Sequence, residues 1–463
     1  MLDGSWLSRQ VECDGPLGRT PSDKERDVNE AIKAVKAPVL GPPRWTTPLV
    51  ARWGPEHAAG RFVGDDHFVR WKADIHLTHA QEVLLFEKAG ARERLFFNPA
   101  QTRAAIVTCG GLSPGLNNVI RSAFLELHLN YGVPEVLGIR FGYQGLNPAE
   151  GEPPIRLTLE LVEDIHREGG TVLGTSRGPQ DPAVMVDFLR DRQIDILLCV
   201  GGDGTQRGAH AIAEEVRRRG MPTAVVGIPK TIDNDIEYCD PSFGFNTAVA
   251  EAQRVIDCAH AEAKGARNGI GLVKLMGRES GFIAAAATVA SQEVNFVLVP
   301  EVPIVLDGER GLLATLRQRM LQRHHAVIVV AEGAGQDLFG SRTLERDASG
   351  NVRFQDIGPW LKQRILEYFQ QKGPAVEVKY FDPSYLIRSV PANAQDDVLC
   401  DQFARRAVHA AMAGKTDVMV GHMAGTFALV PLAMAVGRKR RLQVQGEFWA
   451  AALAATGQPA QWT

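Results

Sequence analysis

The sequence has no pair of cysteines at metal-binding or redox spacing. Its six cysteines, Cys13, Cys109, Cys199, Cys239, Cys258 and Cys400, are scattered and form no CxxC. That argues against a zinc knuckle or a thioredoxin-like motif and leaves free thiols in a reducing compartment as the expectation. Apolar runs long enough to cross a bilayer are also missing; the Ala-rich stretch around Ala284 has the length of a buried helix. Charge of one sign is scarce too. With 51 Lys and Arg against 54 Asp and Glu, the net charge is -3, so neither nucleic acid nor a membrane is expected as a partner. Met1–Trp6 is not a charged segment followed by an apolar run, and Gln461-Trp462-Thr463 is not a peroxisomal address, so a cytoplasmic location is expected. The one dense basic run, Gly437-Arg-Lys-Arg-Arg441, reads as a solvated face.

What is abundant is a repeated grammar of short apolar strands that end in glycine or proline. The 463 residues suit two large α/β units with added segments. "AAIVTCGG", "EVLGIRFG", "TVLGTSRG", "IDILLCVGGDG" and "TAVVGIPK" form a first series, and "IGLVKLMG", "NFVLVPE" and "AVIVVAEGAG" a second. Helix-like segments separate most of them, "NNVIRSAFLELHLNYG" being closed by Gly132. Strands that are apolar on both faces and alternate with helices predict parallel sheets covered by helices. The expected division is a partly disordered N-terminal extension over 1–98, with an appended element around "HFVRWKADIHL". A first α/β unit over 99–245 is completed by 387–463, and a second unit covers 246–386. In open α/β sheets ligands bind at the carboxyl ends of strands, and every motif below lies at such an end.

"VGGDGTQRG", Val200–Gly208, follows a strand and opens a helix. Gly201 and Gly202 allow a tight turn, and the N–H groups that follow favour an anion. Asp203 adds a carboxylate there, which beside phosphates makes sense only with a cation such as Mg²⁺ between them. Gly204 leaves room where a side chain would fill the pocket. "PKTIDND", Pro229–Asp235, sets Asp233 and Asp235 two residues apart, on one side of an extended loop. A carboxylate near a metal-bound phosphoryl donor can accept the proton of an attacking hydroxyl. Gly174-Thr-Ser-Arg-Gly178, Met276-Gly-Arg278, Glu332-Gly-Ala-Gly335 and Tyr385-Leu-Ile-Arg388, with Lys379 upstream, add cations and donors of the kind phosphoryl transfer needs. Taken singly, each motif also reads as a tight turn, a solvated Asx loop or a surface arginine.

Together these residues resemble the phosphofructokinase family over about 100–435. The motifs "GGLSPGLNNVIR", "GTSRG", "GGDGTQRGA", "PKTIDNDI", "GFNTAV", "MGRESGF", "PEVP" and "AEGAG" occur in that order. The chain is most similar to the long plant-like and trypanosomatid-like ATP-dependent branch, in which "VKLMGR" and "FDPSYLIRS" recur. The resemblance implies an α/β fold of two Rossmann-like parallel-sheet domains of phosphofructokinase type with an N-terminal extension. It implies Mg-dependent transfer of the ATP γ-phosphate to the 1-hydroxyl of fructose 6-phosphate, in an allosteric glycolytic homotetramer. Carried over by motif, Gly111, Arg177, Gly178, Gly202, Asp203, Gly204 and Thr205 line the nucleotide side, with Asp203 on the metal. Asp233 is the implied base, beside Thr231, Ile232 and Asp235. Met276, Gly277, Arg278 and Glu332 meet the sugar, and Arg278 steadies transition-state charge. Tyr385, Leu386, Ile387 and Arg388 meet the sugar phosphate, with Lys379 supplied by a neighbouring subunit.

Short bacterial members differ, with Arg where Gly269 and Lys379 stand, His at Tyr385 and Tyr at Arg140. Pyrophosphate-dependent relatives typically carry Asp at the position of Gly204 and Lys at that of Lys230. The first marker reads ATP, the second is shared, and Gly204 is weighted more because it is a direct steric permission. A pyrophosphate-dependent enzyme is the alternative donor reading. Lipid and NAD kinases share a GGDGT-type turn but lack "TIDND". A non-catalytic regulatory subunit would be expected to have lost Asp203, Asp233 or Arg278, and all three are present.

Overall fold

The computed structural model describes residues 32–54, 61–72, 83–340 and 352–463. The expected disorder falls on residues that lie outside this set. Two sheets organise the chain. The larger has ten strands; across it run Ile32–Val35, Val83–Lys88, Thr426–Pro431, Val418–Met423, Ala224–Pro229, Ile196–Gly201, Arg103–Thr108, Glu135–Ile139 and Ile155–Arg156, with Phe68–Arg70 paired to Val83–Lys88. The five from Val418–Met423 to Glu135–Ile139 are parallel to one another. Ile196–Gly201 and Ala224–Pro229 are buried at every position, as strands apolar on both faces must be when helices cover each side. The smaller sheet is all parallel, in the order Phe296–Leu298, Ala326–Ala331, Gly269–Leu275, Glu377–Phe381.

Three sequence expectations are corrected. The described part of residues 1–98 is not merely appended, because Ile32–Val35, Phe68–Arg70 and Val83–Lys88 extend the large sheet. "TVLGTSRG" forms no strand. Gly174 sits at φ +65°, and the segment instead caps strand ends, with Leu173 and Ser176 accepting from the Phe141 and Gly110 amides. Finally, the C-terminal return divides. The helix Ala394–Met412 and the two strands after it join the large sheet, but Leu442, Trp449 and Ala452 belong to the core of the second unit. Trp462 is buried there as well. Helix Glu447–Thr456 buries Trp449 and Ala452 and packs on the Ala-rich helix Phe282–Ser291.

Candidate active site

The two acidic motifs are brought side by side by strand register. Gly201 pairs with Pro229 across adjacent parallel strands, so both chains turn at the same height. The Lys230 amide then donates to the Gly201 carbonyl at 3.0 Å. Gly202 is extended and caps the helix Asp203–Arg218. Asp203 therefore stands in the first turn, where the helix dipole favours negative charge. Its carboxylate pairs with Arg207 one turn on, the i,i+4 geometry of a helix surface. A Cβ on Gly204 would meet only Arg207, at 3.7 Å from Nη2, so the space beside Asp203 is open.

Lys230 reaches under the neighbouring loop, its Nζ donating to the Gly111 carbonyl at 2.7 Å. The same loop is pinned to the "GTSRG" segment by Gly110 N–H to Ser176 O at 3.1 Å and by Thr175 Oγ1 to Gly110 O at 2.7 Å. Burial pushes Lys230 down to about 8, with the Arg177 guanidinium acting the same way against Cys109, Asp235 and Asp233.

The loop after Lys230 aims the acids. The Thr231 hydroxyl donates to Asp235 Oδ1 at 2.7 Å and accepts from the Asp233 amide at 3.2 Å. The Ile232 side chain turns inward, is 4% exposed and anchors the loop in the second core. Asp233 is half-buried, but its Oδ1 is fully covered and has no hydrogen-bond partner. Burial raises its pKa well above the carboxylate range, and the Asp235 and Glu332 carboxylates add to this; the backbone N–H and charge of Arg278 oppose it. A buried carboxylate with a vacant lone pair is costly unless something donates to it. An incoming hydroxyl is such a donor.

The second sheet delivers its residues the same way. Leu275 pairs with Ala331, so "MGR" and "EGAG" leave adjacent strand ends, and the Gly333 amide donates to the Gly277 carbonyl at 3.0 Å. Ser280 Oγ donates to the Asp233 carbonyl at 3.1 Å, joining this loop to the acidic one. Arg278 lies 4.7 Å over the Phe354 ring and donates to the Val352 carbonyl. Glu332 is raised by burial, opposed by Arg278, Lys274 and Arg388. Arg388 stacks 4.6 Å over Tyr385, and its buried Nε has no partner. A Cβ on Gly111 would stand 3.6 Å from both Arg177 and Arg388, so that glycine keeps two guanidinium groups around an open space.

The remaining expected residues are placed as follows. Ile387 is 1% exposed and fills the second core. Tyr385 and Leu386, at 74% and 69% exposed, project outward from this chain. Met276 is partly buried against the second core. Thr205 is buried, and its carbonyl accepts from Tyr143 Oη at 2.7 Å. Gly178 closes the Arg177 loop at φ +108°. Lys379 is not brought here within one chain. It lies opposite Gly271, back from the strand end, and pairs with Glu262 and Glu377. The Arg that short bacterial members carry at Gly269 has no room, since a Cβ would come 2.3 Å from the Ala263 carbonyl. Arg140 pairs with Glu152 and stacks on Phe141.

Comparison with known proteins bears on this arrangement. The family model described as phosphofructokinase matches residues 103–411. The chain belongs to the phosphofructokinase family. It is 45% identical over 434 residues to an ATP-dependent 6-phosphofructokinase of Borreliella burgdorferi, covering 91% of this chain and 96% of that one. ATP-dependent 6-phosphofructokinase 1 of Arabidopsis thaliana is 47% identical over 402 residues, covering 86% and 84%. The ATP-dependent enzyme of Trypanosoma brucei brucei is 47% identical over 369 residues, covering 79% and 75%. The fold is also that of a solved pyrophosphate-dependent phosphofructokinase from Marinobacter aquaeolei, with TM-score 0.64, 19% identity and 78% and 93% coverage. As a phosphofructokinase-family chain, it keeps the motif set in the expected order.

Sequence reading missed Arg207, although its spacing from Asp203 is legible in "DGTQR". An exposed i,i+4 pair is worth only about 0.3–0.5 kcal/mol. If Asp203 holds Mg²⁺, as the resemblance implies, Arg207→Met should change thermal stability little and lower the Mg²⁺ concentration needed for half-maximal activity by about twofold, since a competing cation leaves Asp203. A metal titration of the variant checks this; an increased requirement would contradict it.

Proposed function

We propose that this chain is an ATP-dependent 6-phosphofructokinase, transferring the γ-phosphate of ATP to the 1-hydroxyl of fructose 6-phosphate. The observation that carries the reading is the half-buried Asp233 carboxylate, whose Oδ1 is fully covered. One oxygen is unpartnered, in a loop that strand register sets beside the Asp203 helix start. Relatives named for this activity match most of the chain at 45–47% identity.

In this reading the nucleotide lies along the first sheet, between Gly111, Arg177 and the open position at Gly204. The sugar phosphate faces Arg278, Glu332 and Arg388. Asp233 takes the proton of the attacking hydroxyl, and its raised proton affinity suits a base working near neutral pH. Thr231 orients Asp235 beside it. Arg278 neutralises charge on the group in transfer. Among the described residues no group of three or more His, Cys, Asp or Glu stands together as a metal cage. Mg²⁺ suits such a site, since it is commonly held by one or two carboxylates plus substrate phosphates. Asp203 would hold it, and the ion would draw charge from the phosphate oxygens. Lys230, although shared with pyrophosphate users, is tied to Gly111 and does not fill the space at Gly204. The exposed Tyr385 and Leu386 support a homotetramer whose neighbouring subunit completes the sugar site. No helix of the described residues is long and apolar enough to cross a membrane, which suits the cytoplasmic location proposed.

The test is a donor comparison on the purified enzyme with fructose 6-phosphate. Turnover with ATP and little or none with pyrophosphate is expected; the reverse would overturn the donor assignment.

A further inference from the structure

The basic run 437–441, a solvated face by sequence, lies in the structure against the acidic loop. The Arg440 amide donates to the Asp235 carbonyl at 2.9 Å, and its Nη1 donates to the Asn234 carbonyl at 3.1 Å. Asn234 holds φ +56°, a left-handed conformation that needs local support. The same guanidinium pairs with Asp240 and lies 4.2 Å over the ring of Phe282, the first residue of a second-unit helix. Lys439 forms a bridge with Ile236, and its Nζ pairs at 2.7 Å with Glu279, the residue after Arg278. Directly after the run, the Leu442 amide donates to Glu301 at 2.9 Å, a carboxylate that also takes the Gly281 amide at 3.1 Å.

The placement of the run in the chain gives these contacts their meaning. Immediately before it, Leu432 and Ala435 are buried in the first core; immediately after it, Leu442 and Trp449 are buried in the second. The chain therefore passes from one unit to the other along the acidic loop, and two cations in the crossing hold opposite sides of the site. Arg440 holds the two residues that follow Asp233. Lys439 holds the neighbour of Arg278. Burial raises Asp235, and the Thr231 hydroxyl and the Lys439 ammonium oppose it.

We propose that Lys439 and Arg440 are positioning residues for phosphoryl transfer. The strap 437–441 fixes the Asp233 loop relative to Arg278 across the boundary between the two units. Neither residue needs to touch substrate. Misplacing reacting groups by about 1 Å can cost on the order of 10²-fold in rate, so the effect belongs in kcat rather than in binding. The proposal rests on the reading of Asp233 and Arg278 given above.

The test uses the full chain with Lys439→Met, Lys439→Arg, Arg440→Met, Arg440→Lys and Glu279→Gln. Lys439→Met and Arg440→Met are expected to lower kcat about 10-fold or more, with KM for both substrates within about threefold. Lys439→Arg should keep most of the rate, while Arg440→Lys, which retains charge but loses the planar fork, should fall between. Lys439→Met combined with Glu279→Gln should be no slower than the slower single variant, because the two residues act as one pair. Amide hydrogen exchange of 231–236 should quicken in Lys439→Met and Arg440→Met while strand 326–331 stays protected. If the Met variants do not fold, Arg440→Lys still decides, through the same kcat and exchange readouts. Wild-type rates in the Met variants or in Arg440→Lys, or a raised KM with unchanged kcat there, would overturn the proposal, as would unchanged exchange in the loop. A wild-type enzyme without phosphofructokinase activity would sink the functional reading, and the exchange result would then separately test whether the strap holds the loop.

Discussion

Asp233→Asn is expected to lower kcat by about 10²–10⁴-fold, the range for losing a general base, while KM for both substrates stays within about threefold. The ligand-free variant should at the same time melt higher than the wild type at neutral pH. Both effects come from one cause. Burial raises the folded-state proton affinity of this carboxyl above its unfolded value, and Asp235 and Glu332 raise it further. The native state therefore binds the proton more tightly than the unfolded chain, so stability falls as pH rises from about 4 through the raised value. Asn keeps the shape and carries no charge, so its stability gain should be full at alkaline pH and vanish near pH 4. Steady-state kinetics and thermal melts across that range check the pair. A slower enzyme with no stability gain would mean that Asp233 is not held against its own ionisation.

Gly204→Asp should abolish most ATP use. The new carboxylate enters a space bounded only by Arg207, at 3.7 Å, so it meets no packed atom and fits in the first turn of a helix, where acids are favoured. The fold should be unaffected and the melting temperature unchanged. A charge about 4 Å from a nucleotide phosphate costs on the order of 4 kcal/mol at an effective dielectric of about 20, so kcat/KM for ATP should fall by about 10²–10³-fold. Gly204→Asn separates two causes: it fills the same volume without the charge. If Asn costs as much as Asp, exclusion is steric; if Asn is mild, repulsion dominates. Unchanged ATP kinetics in the Asp variant would refute the role given to that open space.

The parts of the site legible in the sequence are those held by local rules. A strand running up to the glycine pair and a helix after it follow from apolar run and helix periodicity, although the helix opens at Asp203, earlier than periodicity alone places it. The pairing of the two acidic loops follows from their positions at neighbouring strand ends. Long-range placement was not legible in this way. Lys439 and Arg440 lie some 200 residues from the loop they hold, and a run of cations reads as solvent-facing because most are. Ile232 and Ile387 sit inside motifs that read as ligand contacts, yet packing claims them as core. "TVLGTSRG" carries strand-like residues, but Gly174 and the bonds to Phe141 and Gly110 hold it as a cap across strand ends. The C-terminal 442–463 follows segments of the first sheet, and only tertiary burial of Leu442, Trp449 and Trp462 assigns it to the second.

The most direct measurement is a crystal structure of the wild-type chain with nucleotide, Mg²⁺ and fructose 6-phosphate or its bisphosphate bound. The account predicts an Asp233 carboxylate oxygen within hydrogen-bonding distance of the sugar 1-oxygen, with the nucleotide's phosphates passing over Gly204 beside Asp203. A sugar oxygen beyond reach of Asp233, or a nucleotide lying away from Gly204, would contradict it.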